Sequence, residues 1–224
     1  MNDLLSRIFS PATLNETLRT ATPVALAAIG GAMTEHAGIM NIGMDGMILM
    51  GAFFGAYGSF LMGSGWLGLL LAVAIGILVG LLFALFVVKL KADEFIIGCA
   101  LNTFAIGLTG FLSDSVFGHK GGKGMAALPK IYIDLPNVLS FLGKGLQGLS
   151  ILFYLTLLLV LALWLFVYRT PYGFYLRAAG EKPDTLRTAG ISPEKMQWLS
   201  SVLCGAFCGL AGAQLALGNV TMFS

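Results

Sequence analysis

Charge is what this sequence has least of. Asp, Glu, Lys and Arg make up 11% of its 224 residues, against about 25% in an average soluble domain, and that shortfall excludes a water-soluble globular fold. Histidine is nearly absent: His36 and His119 are the two, and neither stands at a spacing from carboxylates or cysteines that would hold a metal. The three cysteines, Cys99, Cys204 and Cys208, all fall inside apolar stretches. They form no Cys-x-x-Cys pair, which leaves membrane-core packing as their reading. No Gly-x-Ser-x-Gly elbow, His-Glu-x-x-His pair or G-x-x-x-x-G-K-[ST] phosphate loop occurs; the Gly/Lys run at 118–124 misses the last by its spacing. These gaps argue against an enzyme. No catalytic residue, metal or cofactor is expected, and any ATP chemistry has to come from another subunit. A net charge of +2, with no basic run interleaved with aromatics, argues against nucleic acid as a partner. The first twenty residues lack the apolar core of a cleavable signal peptide and mix polar with apolar positions like an interfacial segment. The first span is therefore expected to act as an uncleaved insertion signal.

What is there is apolar. Hydrophobic residues make up 57% of the chain, mean hydropathy is +0.87, and 30 glycines suit helices packed closely in a bilayer. Crossing the hydrocarbon takes about 20 apolar residues. The runs at 22–34, 44–61, 66–88, 95–112, 149–168 and 198–217 give an all-α, polytopic bundle of about six spans in a single membrane domain, 1–224. The first run is short and is followed by Glu35, His36, Gly38, Asn41, Gly43, Asp45 and Gly46, which predicts a broken or re-entrant helix. Between 112 and 149 lies a long loop in which 131–135 reads as a short strand or a surface turn. Gly51/Gly55, Gly76/Gly80 and Gly205/Gly209 each put two glycines on one helix face, as close helix contacts require.

Polar groups within spans cost about 2.5–3.5 kcal/mol each when charged, so each needs a reason. Glu35 and His36 read as a helix end at the interface. Asp45 either lines an aqueous pathway or braces a helix break. Asn102 and Thr103 lie near the middle of their span, where an internal hydrogen bond and a substrate-facing group are both open readings. Asn41, Asp45, Asn102 and Thr103 are the candidates for a translocation pathway on polarity and depth.

A polar island, 169–195, separates the last two spans. Pro183 fits the first turn of a short helix, with Asp184 at its positive end, Arg187 towards its negative end and Gly190 as terminator. Ser192, Pro193 and Glu194 then read as cap, first-turn proline and first-turn acid of the next helix. Parity puts the island on the same side as the 89–94 turn. That side holds seven basic residues against six elsewhere, and four of the six lie in the one long loop, away from the tight turns the positive-inside rule weighs most. The expected topology has a cytoplasmic island, an external loop at 113–148 and an external N-terminus.

Three segments carry a family resemblance, in order. Residues 172–191, with Tyr172, Gly173, Leu176, Arg177, Gly180, Glu181, Lys182, Pro183 and Gly190, are similar to the cytoplasmic coupling segment of bacterial ABC importer permeases serving ribose-type sugars, branched-chain amino acids and nucleosides. Residues 37–47, built around Asn41, Gly43, Asp45 and Gly46, resemble the signature of the nucleoside (basic-membrane-protein) branch. Residues 204–213 resemble the Gly/Ala-rich span after the coupling segment. The resemblance implies a type II-like permease fold in the bacterial plasma membrane, paired with a second permease subunit, identical or different. It further implies an ATP-hydrolysing ABC subunit as partner and an external substrate-binding lipoprotein that delivers a nucleoside or similar small solute. It places ATPase coupling on Arg177, Gly180, Glu181, Lys182, Pro183, Asp184, Arg187, Ala189 and Gly190. Lys182 departs from the Asn common before that proline, which changes the helix cap. Family members usually continue through further membrane helices beyond a point such as Ser224, so a partial sequence is expected. A ribose-type or branched-chain amino-acid permease is the nearest rival reading. A passive channel or membrane scaffold is the rival from another class, and the capped helix argues against it because a passive pore needs no docking element.

Overall fold

The computed structural model describes residues 10–117, 126–131 and 148–219. Among them are eight α-helices: α1 (Pro11–His36), α2 (Met44–Met62), α3 (Gly65–Ala84), α4 (Glu94–Phe117), α5 (Ile151–Arg169), α6 (Pro171–Glu181), α7 (Pro183–Thr188) and α8 (Pro193–Ala213). Helix α3 runs on through a wide turn at Leu85–Lys89, and α8 through another at Gln214–Asn219. Five stretches are long and apolar enough to cross a membrane: Met44–Met62, Gly65–Lys89, Glu94–Val116, Ile151–Arg169 and Pro193–Gly218.

Helix α1 differs from the short span read from the sequence. It continues without interruption from the Ser10 cap, whose hydroxyl accepts from the Thr13 amide, through Pro23 to His36. Its 26 residues extend about 39 Å. The part that packs is the part the hydropathy marks: Thr22, Leu26, Gly30 and Met33 recur at helical spacing and are buried. Leu26 sits against Phe207 and Ala211 of α8.

Helix α8 is the post around which the bundle is built, in contact with α1, α2 and α3. The three glycine pairs explain how closely they approach. A Cβ on Gly76 would overlap the carbonyl oxygen of Gly205, and one on Gly51 would come 2.9 Å from the Cα of Gly209. Gly51 of α2 and the glycine pairs of α3 and α8 thus meet at one junction, where backbones touch with no side chain between them, while Gly55 faces Ala72 of α3. Met47, Met50, Phe83, Cys204 and Cys208 fill the core next to it.

The bundle has two distinct ends. At one, the segments flanking the long loop seal the helices. The Ser59 hydroxyl donates to the carbonyl of Ala126 (2.9 Å), and the Leu128 amide to that of Leu217 (3.2 Å). A two-residue antiparallel pair joins Lys130–Ile131 to Leu149–Ser150. Of the stretch read as a short strand, Ile131 is in this pair and 132–135 lie outside the described residues. At the other end, the 89–94 turn and the polar island both reach the loop between α1 and α2: Glu94 bonds the Met40 amide, and Gly180 abuts Gly38.

Candidate functional site: the polar segment and the turn it grips

The polar island folds as two short helices joined at Lys182. Helix α6 begins at Pro171, with the Thr170 hydroxyl accepting from the Gly173 amide (3.2 Å), so cap and first-turn proline act together. It buries Gly173, Leu176 and Ala179, one stripe at a spacing of three. Lys182 (φ −146°, ψ 75°) breaks the helical path, and Pro183 opens α7. Asp184 lies in the first turn of α7 and Arg187 in the last, while Gly190 closes it at φ +81°, a conformation glycine adopts without penalty. Helix α8 starts at Pro193 with Ser192 in the cap position, but the Ser192 hydroxyl makes no capping bond and is buried without a partner.

Arg187 latches α7 onto α8. Its guanidinium lies 2.6 Å from a Glu194 carboxylate oxygen and 3.4 Å from one of Asp184. The hydrogen bond to Glu194 is the main cause holding the Arg187 pKa above its ordinary value. Only Leu186 of α7 is buried. Pro183, Asp184, Thr185 and Thr188 are exposed, as are Glu181, Lys182, Ala189 and Gly190 around them. Arg177, Glu181, Lys182 and Thr185 share a shallow cavity of about 240 Å³ with Phe174.

Helix α6, by contrast, is keyed into the chain. A Cβ on Gly38, itself at φ +78°, would stand 2.8 Å from the Cα of Gly180, and one on Gly180 would collide with the carbonyl of His36. The island therefore touches residues 36–38 backbone to backbone. From there the chain turns inward without helical bonds before α2 begins, and non-helical backbone at depth needs partners supplied by side chains. Two asparagines supply them. Asn41 accepts from the Gly43 amide (3.0 Å) and its Nδ2 lies 3.3 Å from Cys204 Sγ. Asn102 accepts from the Gly46 amide (2.7 Å) and donates to the Ile42 carbonyl (3.0 Å). Asn102 is eight residues beyond Glu94, so this fastening sits about 12 Å along α4.

The four pathway candidates thus divide. Asn102 commits both ends of its amide to the turn, whereas Asn41 gives its oxygen to the turn and its nitrogen to Cys204 of α8. Asp45 and Thr103 are exposed, and the Thr103 hydroxyl bonds back to the Cys99 carbonyl of its own helix (3.0 Å). Nothing in the sequence marks Glu194 as the partner of Arg187, and the sequence reading does not identify Tyr172 and Phe174, each 60% exposed, as outward-facing aromatics. The signal for those two was available: with Gly173, Leu176 and Ala179 inward, an amphipathic helix turns Tyr172 and Phe174 outward.

Residues 13–223 match the family of the branched-chain amino acid transport system, permease component. The chain belongs to that family. Among its relatives is a guanosine ABC transporter permease protein of Bacillus subtilis, 33% identical over 210 residues that cover 89% of this chain and 65% of that protein. A nucleoside ABC transporter permease protein of Lactococcus lactis is 30% identical over 90% of this chain and 67% of its own length. A Haloferax volcanii protein, named provisionally as a glucose ABC transporter permease, is 32% identical over 93% of this chain and 64% of itself. The chain spans about two-thirds of the length of these curated relatives, and no solved structure matches it. Membership in a permease family together with five membrane-length apolar helices makes this a multi-pass protein of the cell membrane.

Proposed function

We propose that this chain is the membrane-spanning permease subunit of an ATP-driven importer, moving a nucleoside or similar small solute delivered by an external binding protein. The observation that carries the reading is the division of labour within the polar island. Helix α7 presents an exposed surface held by one buried leucine and one ion-paired arginine, while α6 is wedged against the 36–38 backbone. An element of this shape suits docking on a soluble subunit that hydrolyses ATP and closes, transmitting the movement as a rigid body to a packed interface. In this reading the island faces the cytoplasm, the 113–148 loop lies outside and a second permease subunit completes the pathway. Movement at α6 would pass through Gly180 and Gly38 to the Asn-braced turn, and from there to α2 and α4. Asp45 and Thr103 are the exposed polar groups placed to meet solute, with Asn41 and Asn102 holding the turn beside them.

Nucleosides are the preferred cargo because the Bacillus and Lactococcus relatives are named for guanosine and nucleoside transport. The second reading is a sugar, favoured by the name of the Haloferax relative. Uptake of radiolabelled guanosine by cells expressing the complete transporter tests both. Competition by unlabelled nucleosides, but not by glucose, ribose or leucine, is expected. Uptake of labelled glucose or leucine that guanosine does not reduce would overturn the assignment. Replacing Asp184, Thr185 and Thr188 together with Ala is expected to abolish uptake while leaving the permease inserted. Full uptake in that variant would remove α7 as the docking element.

A further inference from the structure

Away from the island's exposed face, α1 and α5 leave between them an apolar groove of about 210 Å³ that opens beside α6. Ile29 and Met33 wall it on one side, Val160 and Leu163 on the other, and His36, Trp164 and Tyr168 stand at the end nearest the island. It runs for about two helical turns, roughly 11 Å. The mouth is basic. The Arg177 guanidinium lies 5.2 Å from the centroid of the Tyr168 ring and that of Arg169 lies 5.9 Å from the Trp164 ring. His36 meets Tyr168 edge-on at 6.4 Å. The ion pairs among the described residues are Arg19–Glu16, Arg187–Asp184 and Arg187–Glu194, so neither Arg169 nor Arg177 has a described carboxylate within 4.0 Å. Arg177 Nε is moreover buried with no acceptor. A buried donor without a partner is costly, and here it stands near the ends of α1 and α5.

We propose that this corner is a binding site for an anionic phospholipid. One acyl chain lies in the α1/α5 groove and the phosphate sits between the guanidinium groups of Arg169 and Arg177. The two halves of the site fit one molecule: the groove takes hydrocarbon and repels a free anion, whereas its rim attracts negative charge. Basic pockets between membrane helices at the cytoplasmic face hold acidic headgroups in this way, and Trp and Tyr favour the headgroup level. Because Arg177 is on α6 and the groove is on α1 and α5, such a lipid would touch all three elements at once.

Trp164 is a built-in reporter. The permease, carrying Trp66→Phe and Trp198→Phe, is placed in phosphatidylcholine vesicles containing increasing fractions of brominated phosphatidylglycerol or brominated phosphatidylcholine. Phosphatidylglycerol is expected to quench Trp164 at a lower mole fraction than phosphatidylcholine, by about fivefold for each arginine in contact. Arg169→Gln and Arg177→Gln each reduce that preference by about fivefold, Arg177→Lys keeps most of it, and Ala32→Phe, a bulky change at Ala32 in the groove's α1 wall, lowers quenching by both lipids. Excess inorganic phosphate leaves the quenching unchanged. Equal quenching by the two lipids in the parent protein, or an undiminished preference in the double Gln variant, would overturn the proposal. Displacement by phosphate would replace the lipid with a small anion. Should Arg177→Gln not fold, Arg169→Gln and Ala32→Phe are compared with the parent by native mass spectrometry of co-purifying lipid: loss of phosphatidylglycerol supports the site, and retention equal to the parent's counts against it.

Discussion

Helix α6 buries Gly173, Leu176 and Ala179, whereas α7, which follows after the single residue Lys182, buries only Leu186. Both are short, both begin with proline, and both lie in the one polar stretch between two apolar spans. The difference is in what each touches. α6 meets the chain's own backbone at 36–38, where Gly180 and Gly38 leave no room for a side chain. α7 is fastened by one leucine and the Arg187 pair and leaves the rest of its surface open. On the proposed reading, a segment that passes movement on needs one part rigidly joined to the bundle and another available to something outside it. α6 and α7 would divide those two requirements, with Lys182 between them.

The largest expected effect breaks the rigid half. Gly180→Val puts a branched side chain against the His36 carbonyl and the Gly38 amide, backbone atoms that cannot swing away. A destabilisation of about 3 kcal/mol is expected, seen as a lower thermal unfolding midpoint in detergent with loss of uptake. The same change at exposed Ala189, on the α7 side of the hinge, is expected to leave the midpoint unchanged. Equal midpoints for the two variants would erase the distinction.

Next in size is Asn102→Ala, which tests whether the turn gripped by α6 depends on α4. It strips the Gly46 amide and the Ile42 carbonyl of their partners. A loss of about 2 kcal/mol is expected, measured by the same unfolding midpoint. Asn102→Asp retains an acceptor for Gly46 and is expected to fall between the two. A wild-type midpoint in Asn102→Ala would mean that water already serves this turn.

How much of this contrast could be read in the residues depends on whether its signal is local. The short helix at Pro183, the polarity of Asp184 and Arg187 and the Gly190 terminator all follow from rules that act within one turn, and all are found. The apolar runs likewise marked the packing half of α1, although not the polar first half that continues the same helix. What could not be read is long-range pairing. Nothing near Gly180 in sequence points to Gly38, and nothing near Asn102 points to Ile42. Their partners lie 142 and 60 positions away. Polarity and depth drew attention to Asn41 and Asn102, yet depth alone does not separate an amide that meets solute from one that holds backbone. Ser192 shows the reverse limit: its position as cap was legible, but its hydroxyl makes no capping bond.

A smaller effect on the whole protein is expected from Leu186→Ala. Burying one leucine in a six-residue helix holds that helix and little else, so about 1 kcal/mol is expected, below the usual cost of a core leucine because α7 can open by itself. The telling measurement is amide hydrogen exchange. α7 is expected to lose protection while α6 keeps it. Faster exchange in both helices would show that they open as one unit and that Lys182 is no hinge.

The smallest change in stability, and the sharpest question, comes from charge reversal at Arg187. Exposed ion pairs add little to folding, so the unfolding midpoint of Arg187→Glu is expected to match the parent's. Uptake is another matter, because the reversal sets a third carboxylate beside Asp184 and Glu194 and frees α7 from the start of α8. If Arg187 acts as a latch within this chain, adding Glu194→Arg restores an attractive pair, and uptake is expected to recover most of what the single change lost. If the soluble partner reads Arg187 directly, the double variant presents the wrong sign and stays as defective as the single one. Recovery assigns Arg187 to the internal fastening that holds α7 in place. It would leave Asp184, Thr185 and Thr188 as the surface offered outward, so the boundary between the two halves of the island would run through α7 itself and not only through Lys182.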